Sequence, residues 1–296
     1  MVVTIDKLKS KNFQAFGWHL ISAITVIIAY SYYKTEEFAS AKTYRYDIAS
    51  PDDILGQCST GTEDPGRCNV NINFTKPKEE FSINVIYGAV AFFLITAFAH
   101  IFYATDGFHS GAYSRAISAG WNPYRWGEYA ISASIMTVII GLVQGIRDTS
   151  TLSSLAIITA AMQMCGLAVE SNLKYSAGKV KKDSVAASTS AGWILFVGLW
   201  GVFIYNFATI VSDVKKKYGN EIPPIVVPSW IWIVVFSQLL YYASFGILQY
   251  VHIRQRMSRN FSYLNIEQWY INLSFFAKLS LAGGIGYGLI FRVKDC

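Results

Sequence analysis

Leu273-Ser274-Phe275-Phe276-Ala277-Lys278-Leu279-Ser280 places one lysine in the middle of an apolar run covering residues 262–291. No other charge lies within ten residues of Lys278 on either side. A run of this length crosses about 30 Å of hydrocarbon as a helix. Working outward, residues 13–33, 82–103, 122–146, 151–171, 186–211 and 226–252 have the same character, which makes seven spans. Of the 296 residues, 53% are hydrophobic and 15% charged, against about 25% charged in soluble domains. The charges cluster between the runs. This excludes a disordered, collagen-like or disulfide-dense secreted chain. It predicts an all-α membrane protein, with residues 1–296 forming one seven-transmembrane-helix bundle in the lipid bilayer.

Seven spans put the termini on opposite sides. Lysines precede the first run without a small-residue cleavage site, so that span is expected to be retained. Counted over the connecting segments, Lys and Arg are equal on the two sides, twelve each, so the positive-inside rule does not orient the chain. The long first loop, roughly 34–81, breaks the tie. It holds Cys58 and Cys68, a candidate disulfide, and an Asn73-Phe74-Thr75 sequon, features of an oxidising exterior. The expectation is an N-terminus inside and a C-terminus outside. Tyr44, Tyr46 and Ile48 alternate as in a strand, so a β-hairpin is expected to cap the outer face. The remaining loops are short, which makes successive helices antiparallel neighbours.

Ionisable groups in hydrocarbon cost at least about 2.5–3.5 kcal/mol each on insertion scales and therefore need a partner or a purpose. His19 follows the start of span one by about two turns, His100 precedes the end of span two by about one, and Glu128 follows the start of span three by about two. Odd and even spans run in opposite directions, so all three lie about 5–10 Å below the same surface. Glu128 is the natural partner of Lys278, although the two are offset along the bundle axis by about 5–10 Å. An amine in an apolar site loses its proton readily and forms Schiff bases. A buried structural ion pair is the plainer alternative. On span three, Glu128, Ser132, Ile135 and Met136 share one face; on span seven, Glu267, Ile271, Ser274 and Lys278 do the same. Ser132 and Ser274 are thus candidates to bond the charged groups, joined by Thr96 one turn before His100. Glu170 and Glu267 lie near span ends, where snorkelling or interfacial water accounts for them.

Trp193, Trp230, Trp232, Phe236, Tyr241 and Tyr242 form either an interfacial belt or the wall of an elongated apolar pocket, with Phe236 the best pocket candidate. Gly284-Ile285-Gly286-Tyr287-Gly288 lies inside a span with no strand before it, so close helix packing explains it better than nucleotide binding. There is no HExxH, nucleophile elbow, P-loop or paired CxxC, hence no metal or catalytic residue to assign. The net charge of +6 is spread over both faces and makes no nucleic-acid surface.

The stretch Asn122-Pro123-Tyr124-Arg125-Trp126-Gly127-Glu128-Tyr129-Ala130-Ile131-Ser132-Ala133-Ser134-Ile135-Met136 resembles the third helix of the heliorhodopsins, and Ser274-Phe275-Phe276-Ala277-Lys278 resembles their seventh. His19 and His100 match the family's two intramembrane histidines, and the resemblance covers the whole bundle. It implies a rhodopsin-like fold with all-trans retinal held on Lys278 as a protonated Schiff base, Glu128 as counterion, and Ser274 and Ser132 adjusting their hydrogen bonding, with Thr96 added by its spacing. It also implies a proton-accepting cavity at His19 and His100; the retinal pocket is expected to include Met162 and Gln163 beside the chromophore, with Met136 and Phe236 as the candidates read from helix faces and aromatics. Thr159, Met162 and Gln163 stand where the family tends to have an asparagine. Family members have an inside N-terminus, form homodimers and are regarded as slow light sensors that do not pump ions, with an unknown signalling partner; some viral members are thought to conduct protons. The residues alone leave two other readings open: a light-independent transporter relaying protons through Glu128, His19 and His100, and a lipid-associated scaffold with a structural ion pair.

Overall fold

The computed structural model describes residues 3–33, 40–45, 78–174, 180, 182–218, 229–257 and 262–292. Cys58, Cys68, Asn73, Tyr46, Ile48 and Cys296 lie outside them, so the expected disulfide and the use of the sequon do too. In chain order the elements are α1 (Ile5–Tyr33), β1 (Ser40–Arg45), β2 (Lys78–Asn84), α2 (Val85–Ala104), α3 (Ala112–Ser118), α4 (Pro123–Val143), α5 (Thr149–Leu173), α6 (Lys182–Tyr218), α7 (Ser229–Met257) and α8 (Tyr263–Arg292). The seven long helices coincide with the seven spans expected from hydropathy. Among the described residues, six of them are apolar enough to cross a membrane by composition as well as length. The seventh, α8, is long enough at 30 residues.

Helix starts are set locally. Asn122 caps α4 by accepting the Arg125 amide at 3.2 Å, with Pro123 in the first turn, where its missing N–H costs nothing. Asn84 caps α2 through the amides of Ile86 and Tyr87, and Asp148 caps α5 through the amide of Thr151. The two strands pair antiparallel, Ser40 opposite Asn84 and Thr43 opposite Phe81. The hairpin therefore exists, and its first strand includes Tyr44; Tyr46 and Ile48 of the expected alternation lie outside the described residues. β1 is anchored on the α4–α5 turn, because the Tyr44 amide donates to the Arg147 carbonyl at 2.9 Å.

The helices close a ring in which α1 packs on α2, α2 on α4, α4 on α5, α5 on α6, α7 on α8 and α8 on α1; contact is sparse between α6 and α7. Inside it, Phe92, Phe93, Ile140, Leu199, Phe203 and Leu281 are buried. Outside it, Ile21, Ile24, Ile27 and Ile28 of α1 and Ile194 and Val197 of α6 are exposed, as hydrocarbon-facing side chains are. The glycine-rich stretch does pack helices: Val234 and Trp230 of α7 sit where Cβ atoms on Gly284 and Gly288 would lie.

Helix α3 was not legible as a separate element. It sits at the face where α1 begins, held through Asp106, which accepts Lys9 Nζ at 2.8 Å, the Ser114 amide at 2.7 Å and the Ser114 hydroxyl at 2.8 Å. Partial burial pushes the Asp106 carboxyl up, but the bonds from Lys9 and Ser114 outweigh it and hold the group below the ordinary aspartate range. A depressed carboxyl contributes stability above the unfolded value, about 3.9, and loses it as pH falls through the lowered one. Asp106→Asn is therefore expected to speed amide exchange in residues 106–118 at neutral pH, where the wild type stays protected until strongly acidic pH.

Close approach of α4 and α5 rests on Gly166. A Cβ there would collide with the Trp126 ring. Gly166→Ala is expected to lower thermal stability by about 1–3 kcal/mol, as overpacking does. Gly283→Ala, with nothing within 4 Å of its Cβ position, should not lower the melting temperature in the same detergent.

Candidate functional site

Lys278, Ser274 and Glu267 lie on one buried face of α8, as their spacings of four and seven residues require. Glu128 lies on the inward face of α4. Lys278 Nζ stands 3.2 Å from Glu128 Oε1 and donates to Ser274 Oγ at 2.9 Å. The expected axial offset between the two charges is thus closed by the long lysine stem. Thr96 of α2 donates to the same Glu128 oxygen. The lysine nitrogen also lies 5.3 Å from the centre of the Tyr129 ring. Ser132 is buried, but its hydroxyl bonds neither charge and has no partner. The serine one turn away on the charged face is therefore close to the pair without joining it.

His19 and His100 come together as expected, their rings stacked 5.2 Å apart at 14°. Phe93 and Phe275 flank His19. Both ring nitrogens of His19 are buried without a protein partner, which marks a place for water. His100 Nδ1 lies 2.8 Å from Asn12 Oδ1; Asn12 was not foreseen as a member of this cluster.

Beside Lys278 opens a cavity between α4, α5, α6, α7 and α8, about 810 Å³ including its mouth. Met136, Met162 and Gln163 line it as expected, with Trp126, Trp193 and Phe245 among the aromatic walls. Phe236 does not. It is half exposed and stacks on Trp232 at 5.9 Å. Phe236 precedes Phe245 by nine residues, about two and a half turns, so the two occupy opposite faces of α7; Phe245 takes the inward place. Thr159 also lies outside the lining, bonded to Thr137 at 2.9 Å.

Glu170 and Glu267 require a correction. They are fully buried rather than snorkelling, and both are clamped by Arg125, whose two terminal nitrogens donate one to each carboxylate. Asn122 donates its amide N–H to Glu170 at 2.9 Å and its side-chain nitrogen to Glu267 at 2.7 Å. The Tyr263 hydroxyl reaches Glu170 at 3.1 Å, and the Arg125 guanidinium stacks over Tyr270 at 3.8 Å. His252 Nδ1 lies 3.6 Å from Glu170. The antiparallel arithmetic that grouped His19, His100 and Glu128 would have found this cluster: Arg125 and Glu267 begin odd spans, while Glu170 and His252 end even ones. Removing the shared cation strands two buried carboxylates. Arg125→Met is expected to destabilise the fold by about 3–5 kcal/mol, more than Glu267→Gln, in thermal unfolding of the purified protein.

The site thus sets a buried lysine, with a carboxylate and a serine at its nitrogen, in the wall of an apolar aromatic cavity, next to a paired-histidine pocket. No curated protein matches the sequence. The heliorhodopsin family model matches residues 60–289, taking in Glu128, Lys278, His100 and the Arg125 cluster. That match extends over most of the chain, and the chain belongs to the heliorhodopsin family.

Proposed function

We propose that this protein is a light sensor in which Lys278 carries all-trans retinal as a protonated Schiff base, Glu128 is its counterion, and the output is a signal without net ion pumping. Family membership supports the coarser statement, a retinal-binding, light-sensing, multi-pass membrane protein. The observation that carries the finer reading is the position of Lys278 Nζ, with Glu128 and Ser274 on its polar side and the aromatic cavity beside it.

The residues present fit the group. The cavity is mostly apolar and walled by aromatic side chains, as a polyene requires, and its lining includes Lys278. Retinal, when bound, supplies light-driven isomerisation. The chain's own residues do the rest. Glu128 stabilises positive charge on the lysine nitrogen, and Ser274 and Thr96 orient the nitrogen and the carboxylate. The cavity walls exclude water from the apolar side. His19 and His100 offer ring nitrogens to a proton leaving the lysine. Signalling is favoured over proton conduction by the half of the bundle nearer the β-hairpin. Its buried polar side chains among the described residues are the neutral Thr137, Thr159, Gln144 and Gln238, with Thr43 in the sheet. Thr137 bonds both Thr159 and Tyr242. We place the N-terminal face, with the Arg125 cluster and α3, in the cytoplasm, and we take the working form to be a homodimer.

Protein expressed with all-trans retinal should show a visible band that hydroxylamine bleaches under light and that Lys278→Ala lacks. Glu128→Gln should hold the band only at lower pH than the wild type, because the charged nitrogen loses its counterion. Light should evoke no stationary photocurrent. A folded wild type with no visible band would falsify the retinal reading, and a sustained light-gated proton current would replace signalling by conduction through His19, His100 and Glu128.

A further inference from the structure

The histidine pocket holds a hydrogen-bond arrangement whose polarity can be worked out atom by atom. Asn12 of α1 is fully buried, and its Nδ2 lies 2.9 Å from the Leu8 carbonyl oxygen and 3.0 Å from the Tyr113 hydroxyl. A carbonyl only accepts, so the Asn12 nitrogen must face Leu8, and the amide cannot flip without setting two oxygens against each other. Oδ1 therefore faces His100. It is an acceptor only, so His100 Nδ1, 2.8 Å away, must carry the hydrogen. In a neutral imidazole the other nitrogen, Nε2, is then bare, with no hydrogen-bond partner among the described residues. The groups packed on this ring are His19, stacked at 5.2 Å, and Tyr103, edge-on at 5.8 Å.

We propose that Asn12 is a positioning residue that holds His100 in the Nδ1–H tautomer, so that Nε2 is the atom that takes a proton released at Lys278. The inference rests on the light-sensor reading for the source of the proton, but the tautomer follows from the hydrogen bonds alone. On transfer, the bond from hydrogen to the lysine nitrogen breaks, a bond to His100 Nε2 forms, and the electron pair stays on the lysine nitrogen. The resulting imidazolium keeps its Nδ1–H donated to Asn12, now as a charge-assisted bond. Asn12 thereby stabilises the acceptor in its charged form without touching the reacting proton. His19 has no such partner at either nitrogen, so no hydrogen bond among the described residues selects its tautomer.

The test is nitrogen NMR of imidazole-labelled full-length protein in lipid nanodiscs, in the dark, with and without all-trans retinal. Four histidines give few signals, and His100 is assigned by the signal missing in His100→Gln. The expected His100 pattern is a protonated Nδ1 and a bare Nε2. Asn12→Leu, which removes the acceptor, should convert it to Nε2–H or a mixture. Asn12→Asp in its protonated form, which keeps an oxygen facing Nδ1 and donates its hydroxyl hydrogen to the Leu8 carbonyl, should restore it, and Tyr113→Phe should leave it unchanged because Leu8 still orients the amide. With retinal bound, proton movement off the lysine nitrogen, read from visible absorbance, should slow about tenfold in Asn12→Leu, equal to 1.4 kcal/mol, and recover in Asn12→Asp. An Nε2–H or doubly protonated His100 in the wild type overturns the proposal, as does an unchanged pattern in Asn12→Leu. Should Asn12→Leu not fold, the wild-type pattern together with Asn12→Asp decides. Failure of the retinal reading shows separately, as a wild type without a visible band whose His100 signals are still read.

Discussion

A charge in hydrocarbon must be met by a counter-charge within reach, and this bundle meets that requirement twice on a single helix. Arg125 and Glu128 are three residues apart on α4, so both point into the ring about one turn apart. Glu128 reaches across to Lys278 of α8, while Arg125 reaches both Glu267 of α8 and Glu170 of α5. In the ring, α4 and α8 are not neighbours; α2 and α1 stand between them on one side. The two ion-pair braces therefore span the interior and fix how α4 and α8 face each other. Such pairs recover the cost of desolvation only when their remaining lone pairs and protons are also bonded. Thr96, Ser274, Asn122 and Tyr263 provide those bonds.

Polarity along the bundle axis is uneven, and that unevenness shapes what the site can do. Toward the face where α1 begins lie the Arg125 cluster, the histidine pair and Asn12. Toward the β-hairpin lie aromatic and aliphatic packing and a few neutral side chains, of which Thr137, Thr159 and Gln238 bond to one another or to backbone while the Gln144 amide is buried without a partner. Lys278 sits at the boundary. Its nitrogen faces the polar side while its stem borders the cavity between α4 and α8, where sparse α6–α7 contact leaves room. A chromophore in that cavity would meet an aromatic wall, while the buried histidines and carboxylates among the described residues lie on one side of the nitrogen. Tight packing at Gly166 and Trp126 keeps one wall of that cavity in place.

Much of this was open to reading before any coordinates. Seven apolar runs predict seven helices, and the spacing of Glu267, Ile271, Ser274 and Lys278 by four, three and four residues predicts one buried face. Antiparallel order alone puts His19, His100 and Glu128 at one depth. The same arithmetic applied to Arg125, Glu170 and Glu267 would have exposed the second cluster, but residues near span ends have a second explanation in interfacial water. Phe236 went astray for a different reason. In a helix rich in aromatics on every side, periodicity does not say which face turns inward.

The sequence by itself determined the membrane class, the span limits, the pairing of Lys278 with Glu128 as the lone lysine and lone deep carboxylate, and, through two local stretches, the family. Those follow from hydropathy and from the cost of unpaired charge, which act within a helix or between any two helices at equal depth. Only the tertiary structure decided which partners each group meets: Asn12 on His100, Thr96 on Glu128, Arg125 between two glutamates, Phe245 rather than Phe236 on the cavity. Those choices depend on ring order and on the rotation of each helix about its axis. Rotation is set by side-chain packing between helices distant in sequence, and no single helix encodes it.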